Sequence, residues 1–139
     1  MPVSNSTFRW TEAYRVNIVA LDQQHTQLFD TVNELDQALR EGAENAAIDS
    51  VLHKLVGYAL THFSAEESLM RQHDFPGLLT HCSQHQMFRA RIAEFLEEHR
   101  AGKAGVPVSL MLFMQSWLKE HLLNTDQQYS AFLNERGVH

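Results

Sequence analysis

The all-α fold that this sequence predicts is an antiparallel up-down-up-down four-helix bundle with an extended N-terminal arm. Three observations lead to it. Apolar residues recur at alternating intervals of three and four in four separate stretches, the signature of helices with one buried face. Brief tracts carrying Gly or Pro separate the stretches, so successive helices have room only to fold back on one another. Ahead of the first stretch the pattern switches to an alternation broken only at Glu12, the period of extended chain.

Taken in order, the arm covers roughly residues 1–20. Its Phe8, Trp10, Tyr14, Val16 and Ile18 all fall on even positions, with Glu12 the polar exception, so aromatic anchors face the bundle. The first helix, roughly 22–41, carries Leu21, His25, Leu28, Val32, Leu35 and Leu39 on one face. Asp22 suits its N-cap, and Glu41-Gly42 marks its end. The second, roughly 45–72, carries Ile48, Leu52, Leu55, Ala59, His62, Glu66 and Leu69. His73-Asp74-Phe75-Pro76-Gly77 interrupts it, because Pro76 biases the residue before it away from helix. The third, roughly 77–100, carries Leu78, His81, His85, Phe88, Ile92, Phe95 and His99. After the loop Ala101-Gly102-Lys103-Ala104-Gly105, Pro107 fits the first turn of the fourth helix, roughly 107–125. That helix presents Leu110, Met114, Trp117, His121 and Asn124, and a short C-terminal segment, 126–139, follows.

One domain accounts for all 139 residues. Apolar residues make up 44% and charged residues 20%, the balance of an ordinary soluble protein. No apolar run approaches the roughly 18 to 20 residues that cross a bilayer, and no basic segment with an apolar stretch opens the chain, so membrane insertion is not expected. The expected location is the cytoplasm, in keeping with Cys82 as the single cysteine. A net charge of −6, with no block of Lys or Arg, argues against nucleic acid. Nine histidines are the informative excess.

Seven residues with metal-binding side chains sit on these stripes or beside them: His25, His62 with Glu66, His81 with His85, and His121 with Asp126. In the predicted topology the start of the first helix, the end of the second, the start of the third and the end of the fourth share one end of the bundle. All seven can meet there. His62 lies about ten residues, or roughly 15 Å, before its loop, so the second helix must overhang the others. His121 and Asp126 are five residues apart, about 140° out of phase on a regular helix. A π-type distortion near Asn124 is therefore required if both are ligands.

Burying five imidazoles and two carboxylates without a metal costs several kcal/mol, roughly, which a metal turns into stabilisation. Zinc is satisfied by four ligands and leaves three unused. Two iron ions use all seven: with both carboxylates and one oxo or hydroxo oxygen shared, the histidines divide three and two. One ion then keeps an open position, which on reduced iron beside a second reduced iron suits dioxygen.

The ordered set H, HxxxE, HxxxH, HxxxxD, with Leu21-Asp22-Gln23-Gln24-His25 and Trp117-Leu118-Lys119-Glu120-His121, resembles the hemerythrin family, specifically the bacterial hemerythrins. The resemblance covers the chain from about Phe8 to Tyr129. It implies a di-iron centre in which His81, His85 and His121 bind the saturated iron, His25 and His62 bind the oxygen-accepting iron, and Glu66 and Asp126 bridge. It also implies reversible dioxygen binding, and it points to Leu118 as a gate near the oxygen site. Leu28, Phe63, Trp117 and Leu118 form the expected apolar oxygen pocket.

Other residues read more plainly. His99 lies far from the ligand end and is structural, while His53, His73 and His139 match no ligand position and should face solvent. Cys82 is one residue off the stripe and reads as packing. Asp22 and His25 resemble half of a di-iron oxidase motif, but the other half is missing, and a capping role is preferred. Oxygen storage or delivery is the expected function. The alternative is a sensory domain for oxygen, nitric oxide or redox state that acts on a protein partner or output domain. An oxidase or peroxidase is disfavoured by the histidine-rich ligand set and the lack of a general acid.

Overall fold

A computed structural model describes residues 8–139. The first seven residues of the predicted arm lie outside the described residues. Among the described residues the chain forms five α-helices and no strand: α1 (Val19–Arg40), α2 (Asn45–Gln72), α3 (Leu78–Arg100), α4 (Val106–Glu120) and α5 (Asp126–Glu135). A π-helical segment, His121–Thr125, joins α4 to α5 without interrupting the rod. Consecutive helices pack in sequence and α1 closes against α4, which makes the predicted four-helix bundle.

The stripes explain the packing. Leu28, Val32 and Leu35 of α1 meet Leu52, Leu55 and Ala59 of α2, Phe88, Ile92 and Phe95 of α3, and Leu110 and Met114 of α4 in one buried cluster. Each large apolar side chain so buried contributes about 1.5–3 kcal/mol relative to exposure. Gly105, at φ 78, takes the left-handed conformation that starts α4, with Pro107 in its first turn as expected.

Three boundaries differ from the sequence reading. First, α1 begins at Val19, and Asp22 is not its cap. Instead Asp22 Oδ1 accepts a hydrogen bond from the Val16 backbone N–H at 2.9 Å, so the side chain pins the arm. Second, the arm is extended only in part, because Glu12–Tyr14 form a 3-10 turn capped by Thr11. Its anchors still face inward: Phe8 stacks on Phe29 at 4.3 Å, and Val16 and Ile18 are buried. Third, the short C-terminal segment is largely helical, as α5.

The third difference settles how the overhang of α2 is covered. At 28 residues α2 is the longest of the described helices, and its end would leave Leu69 and Met70 bare. Tyr129 and Leu133 of α5, with Val16, Ile18 and Leu21, bury Met70 in a second apolar cluster. Phe75 of the α2–α3 loop packs on Phe132, and a side chain at Gly77 would collide with the Phe75 ring at 2.7 Å. Gly77 thus makes room for the plug that seals this end.

Asn124, expected on the inner face of the fourth helix, is exposed and donates to the Glu120 carbonyl. The π segment rotates it outward. His53 and His139 are exposed as expected, whereas His73 is half-buried. His99 meets Asp49 at 2.7 Å, far from the ligand end.

Candidate metal centre

The overhanging end of the bundle holds the seven histidine and carboxylate side chains together. α1 supplies His25, α2 supplies His62 and Glu66 one turn apart, and α3 supplies His81 and His85 with the same spacing. The π segment supplies His121, and the first residue of α5 is Asp126. The backbone N–H of Asp126 donates to the His121 carbonyl, an i to i+5 bond that closes the wide turn. That turn brings the two side chains onto one face, with Asp126 Oδ1 at 2.9 Å from His121 Nε2. All seven residues are at most 3% exposed.

The donors fall into two groups, each within 4.8 Å internally: Glu66, His81, His85 and His121, and His25, His62, Glu66 and Asp126. Glu66 belongs to both. Its Oε1 lies 3.2 Å from His62 Nε2 and 3.3 Å from His85 Nε2, and its Oε2 faces His25 Nε2 at 3.6 Å. Asp126 also spans them, with Oδ1 3.1 Å from His81 Nε2 and Oδ2 3.3 Å from His25 Nε2. His121 Nε2 sits 3.2 Å from both His81 Nε2 and His85 Nε2.

Those separations fit a shared cation better than direct hydrogen bonding. Metal bonds of about 2.1 Å place adjacent donors roughly 3 Å apart and opposite donors about 4.2 Å apart. Among the described residues, the buried side-chain atoms with no hydrogen-bond partner include His25 Nδ1 and Nε2, His62 Nε2, His81 Nδ1, Glu66 Oε1 and both oxygens of Asp126. Trp10 Nε1 is the one such atom outside the ligand set. Orphans concentrated where several elements converge are what a metal site looks like without its ion.

Electrostatics points the same way. Burial pulls the His25 imidazole down, but its contacts with Asp126 and Glu66 overcome that and raise it to about 9. A positive charge is thus favoured between the two carboxylates. Burial and Glu66 both oppose ionisation of Asp126, yet His121 and His25 hold its carboxyl well below the usual range. Burial likewise opposes ionisation of Glu66, and His62, His25 and His85 hold it low. His62 is lowered by burial.

A second layer of residues, missed by the sequence reading, fixes the rings. Gln24 Oε1 faces His62 Nδ1 at 2.7 Å, Glu67 Oε2 faces His85 Nδ1 at 2.6 Å, and Gln84 Oε1 faces His121 Nδ1 at 3.1 Å. Thr125 Oγ1 also donates to Gln84 Oε1, at 2.8 Å. Each acceptor holds the Nδ1 proton and turns the Nε2 lone pair inward. Their sequence signal was a polar residue directly beside a ligand. Tyr129, fully buried, donates its hydroxyl to Glu66 Oε2 at 2.5 Å. Burial and then the charges of Asp126 and Glu66 raise that hydroxyl well above its ordinary value.

Of the expected pocket residues, Leu28, Phe63 and Leu118 are buried and Trp117 is half-buried. Phe63 stacks on His85 at 3.9 Å and Trp117 stacks on His121 at 4.2 Å, so both rings sheathe the three-histidine side. Phe63 also reaches His62, at 6.2 Å. A cleft of about 430 Å³ opens to solvent over His121 between Gln84, Met87 and Glu120. Cys82 is half-buried, its thiol raised by burial and by Glu67.

Known proteins resemble this chain in sequence and fold. The family model for the hemerythrin HHE cation binding domain matches residues 16–133, which include all seven donors. The chain is 30% identical over 130 residues to a bacteriohemerythrin of Stenotrophomonas maltophilia (strain R551-3), covering 91% of this chain and 84% of that one. A bacteriohemerythrin of Methylococcus capsulatus is 29% identical over 126 residues, covering 90% and 95% respectively. A crystal structure of wild-type hemerythrin superposes with a TM-score of 0.83 at 29% identity, covering 92% of this chain and 98% of that one. The chain belongs to the hemerythrin family.

Proposed function

We propose that the seven side chains hold two iron ions and that the protein binds dioxygen reversibly, as an oxygen carrier or store. The observation that carries this reading is the pair of donor groups joined by Glu66, with one Asp126 oxygen turned toward each side. His81, His85 and His121 would hold one ion, His25 and His62 the other, and Glu66 and Asp126 would bridge. When bound, the ion with fewer ligands supplies an open position for dioxygen beside a second source of an electron.

The chain's own residues perform the rest. Gln24, Glu67 and Gln84 keep three imidazoles in the tautomer that presents Nε2 to a metal. Tyr129 holds Glu66 in place through Oε2. Leu28, Phe63 and Leu118 belong to the buried apolar core and Trp117 packs against it. Apolar side chains of this kind offer bound dioxygen no proton donor, which favours its release over irreversible oxidation. The assay is anaerobic reduction of the iron-loaded protein, addition of oxygen, and removal of oxygen while the visible spectrum is followed. Colour that forms and disappears over repeated cycles supports carriage; irreversible bleaching in the first cycle rejects it.

A second reading, a sensory domain responding to oxygen, nitric oxide or redox state, has one observation in its favour. α5, which begins at Asp126, is clasped to the arm: Gln127 donates to the Arg15 carbonyl, Ser130 to that of Val16 and Asn134 to that of Asn17. Movement of Asp126 would therefore reach both terminal segments. A change in amide exchange at residues 15–17 and 127–134 on oxygen binding favours sensing, and unchanged exchange favours carriage.

A further inference from the structure

We propose that Glu67 is a positioning residue that sets the redox balance of the iron held by His81, His85 and His121, and that Arg89 is its counterweight. The proposal rests on the di-iron reading above. It starts from a difference among the five histidines in what stands behind the metal-facing nitrogen. His62 and His121 are backed by the neutral amide oxygens of Gln24 and Gln84. The Nδ1 atoms of His25 and His81 have no hydrogen-bond partner among the described residues. His85 differs: its Nδ1 faces a carboxylate oxygen, Glu67 Oε2, at 2.6 Å.

Hydrogen bonds to an ionised acceptor are roughly twice as strong as neutral ones. A carboxylate behind an imidazole also makes that ring a more basic ligand. A more basic ligand favours the more highly charged metal, so Glu67 stabilises the ferric over the ferrous state on the three-histidine side. Partial burial keeps the effect from being screened by water, since the Glu67 side chain is 16% exposed.

Arg89 acts in the opposite sense. Its Nη2 lies 3.2 Å from the same Glu67 Oε2 and draws on the same negative charge. The guanidinium also sits over the Phe63 ring, 5.5 Å from its centre, and Phe63 in turn stacks on His85. Helix geometry builds the set: Glu66 points inward from α2, Glu67 is turned about 100° toward α3, and His85 and Arg89 lie one turn apart there. Neither Glu67 nor Arg89 reaches the metal-facing nitrogens, so both act through His85.

The test is a spectroelectrochemical titration of the iron-loaded full chain, with iron content measured alongside, for the parent, Glu67→Gln and Arg89→Gln. Gln keeps the shape and an acceptor oxygen at position 67 but removes the charge. Glu67→Gln is expected to shift the ferric–ferrous equilibrium about tenfold toward ferrous, a rise of 59 mV for one electron. Arg89→Gln is expected to lower the potential. Opposite shifts at full iron content support the proposal, because loss of packing would not reverse sign between the two variants. An unchanged potential in iron-replete Glu67→Gln, or shifts in the same direction, overturns it. If Glu67→Gln fails to hold iron, Arg89→Gln decides alone, and an unchanged or raised potential overturns the proposal. A parent chain holding fewer than two irons refutes the underlying di-iron reading instead.

Discussion

In the metal-free protein, His25 should make stability fall as pH rises from 6.5 to 9. Its ring is completely buried, 3.3 Å from Asp126 Oδ2 and 3.6 Å from Glu66 Oε2. Burial alone would discharge it, but the two carboxylates raise it from 6.5 to about 9. A group whose folded value is raised contributes its full stabilisation below the unfolded value and loses it as pH climbs through the folded one. The loss is about 3 kcal/mol, at the usual conversion of about 1.4 kcal/mol per pH unit. The other displaced groups of the site act elsewhere. Glu66 and Asp126 are lowered, so their contribution is lost in acid, and the lowered His62 opposes stability only below about pH 6.5. Tyr129 is raised well above 10.0 and matters only in strong base. The assay is urea unfolding of the chelator-stripped protein at pH 6.5, 7.5 and 9, followed by circular dichroism. With a urea slope of about 1–3 kcal/mol per M, the midpoint should fall by roughly 1–3 M across that range. His25→Gln, which cannot carry the proton, should flatten the dependence. A midpoint that stays level or rises between pH 6.5 and 9 in the parent would refute the charge assignment.

Iron should be lost as pH falls below about 6, because ligating imidazoles must be neutral; full iron content after dialysis at pH 4 would contradict this. Tyr129→Phe removes the hydroxyl that donates to buried Glu66 and should cost the metal-free protein about 1.5–3 kcal/mol in urea unfolding. A loss below about 0.5 kcal/mol, on the same scale, would show that the carboxylate finds another donor. Leu118→Ala should loosen the buried apolar packing at position 118 and speed both oxygen exchange and autoxidation; an unchanged autoxidation half-life would reject Leu118 as the gate.

The four bundle helices were legible because their buried residues follow one period, and six of the seven candidate ligands lie on those same stripes. Asp126 does not, and the five-residue gap to His121 already demanded the π turn now seen at His121–Thr125. The reading failed where two structural signals overlap. Treating the irregularity at Asn124 as the end of a helix hid α5, although Tyr129, Phe132 and Leu133 keep a helical spacing beyond it. Asp22 looks like a cap because it opens an apolar stripe, but tertiary contact with the Val16 amide claims its carboxylate. Gln24, Glu67 and Gln84 lie just off the stripes. From sequence they resemble solvent-facing polar residues, and only the packing of neighbouring helices turns them toward histidine nitrogens. The same holds for Phe63 and Trp117, whose stacking on His85 and His121 no spacing rule gives.

Metal stoichiometry tests the central claim most directly. Chain expressed with iron and purified without chelator should carry two irons per polypeptide by elemental analysis. Asp126→Ala and Glu66→Ala, which each remove a side chain facing both donor groups, should lower that number while helical content is retained. A parent protein with a single bound ion, or one that still binds two irons after both carboxylates are removed, would contradict the assignment.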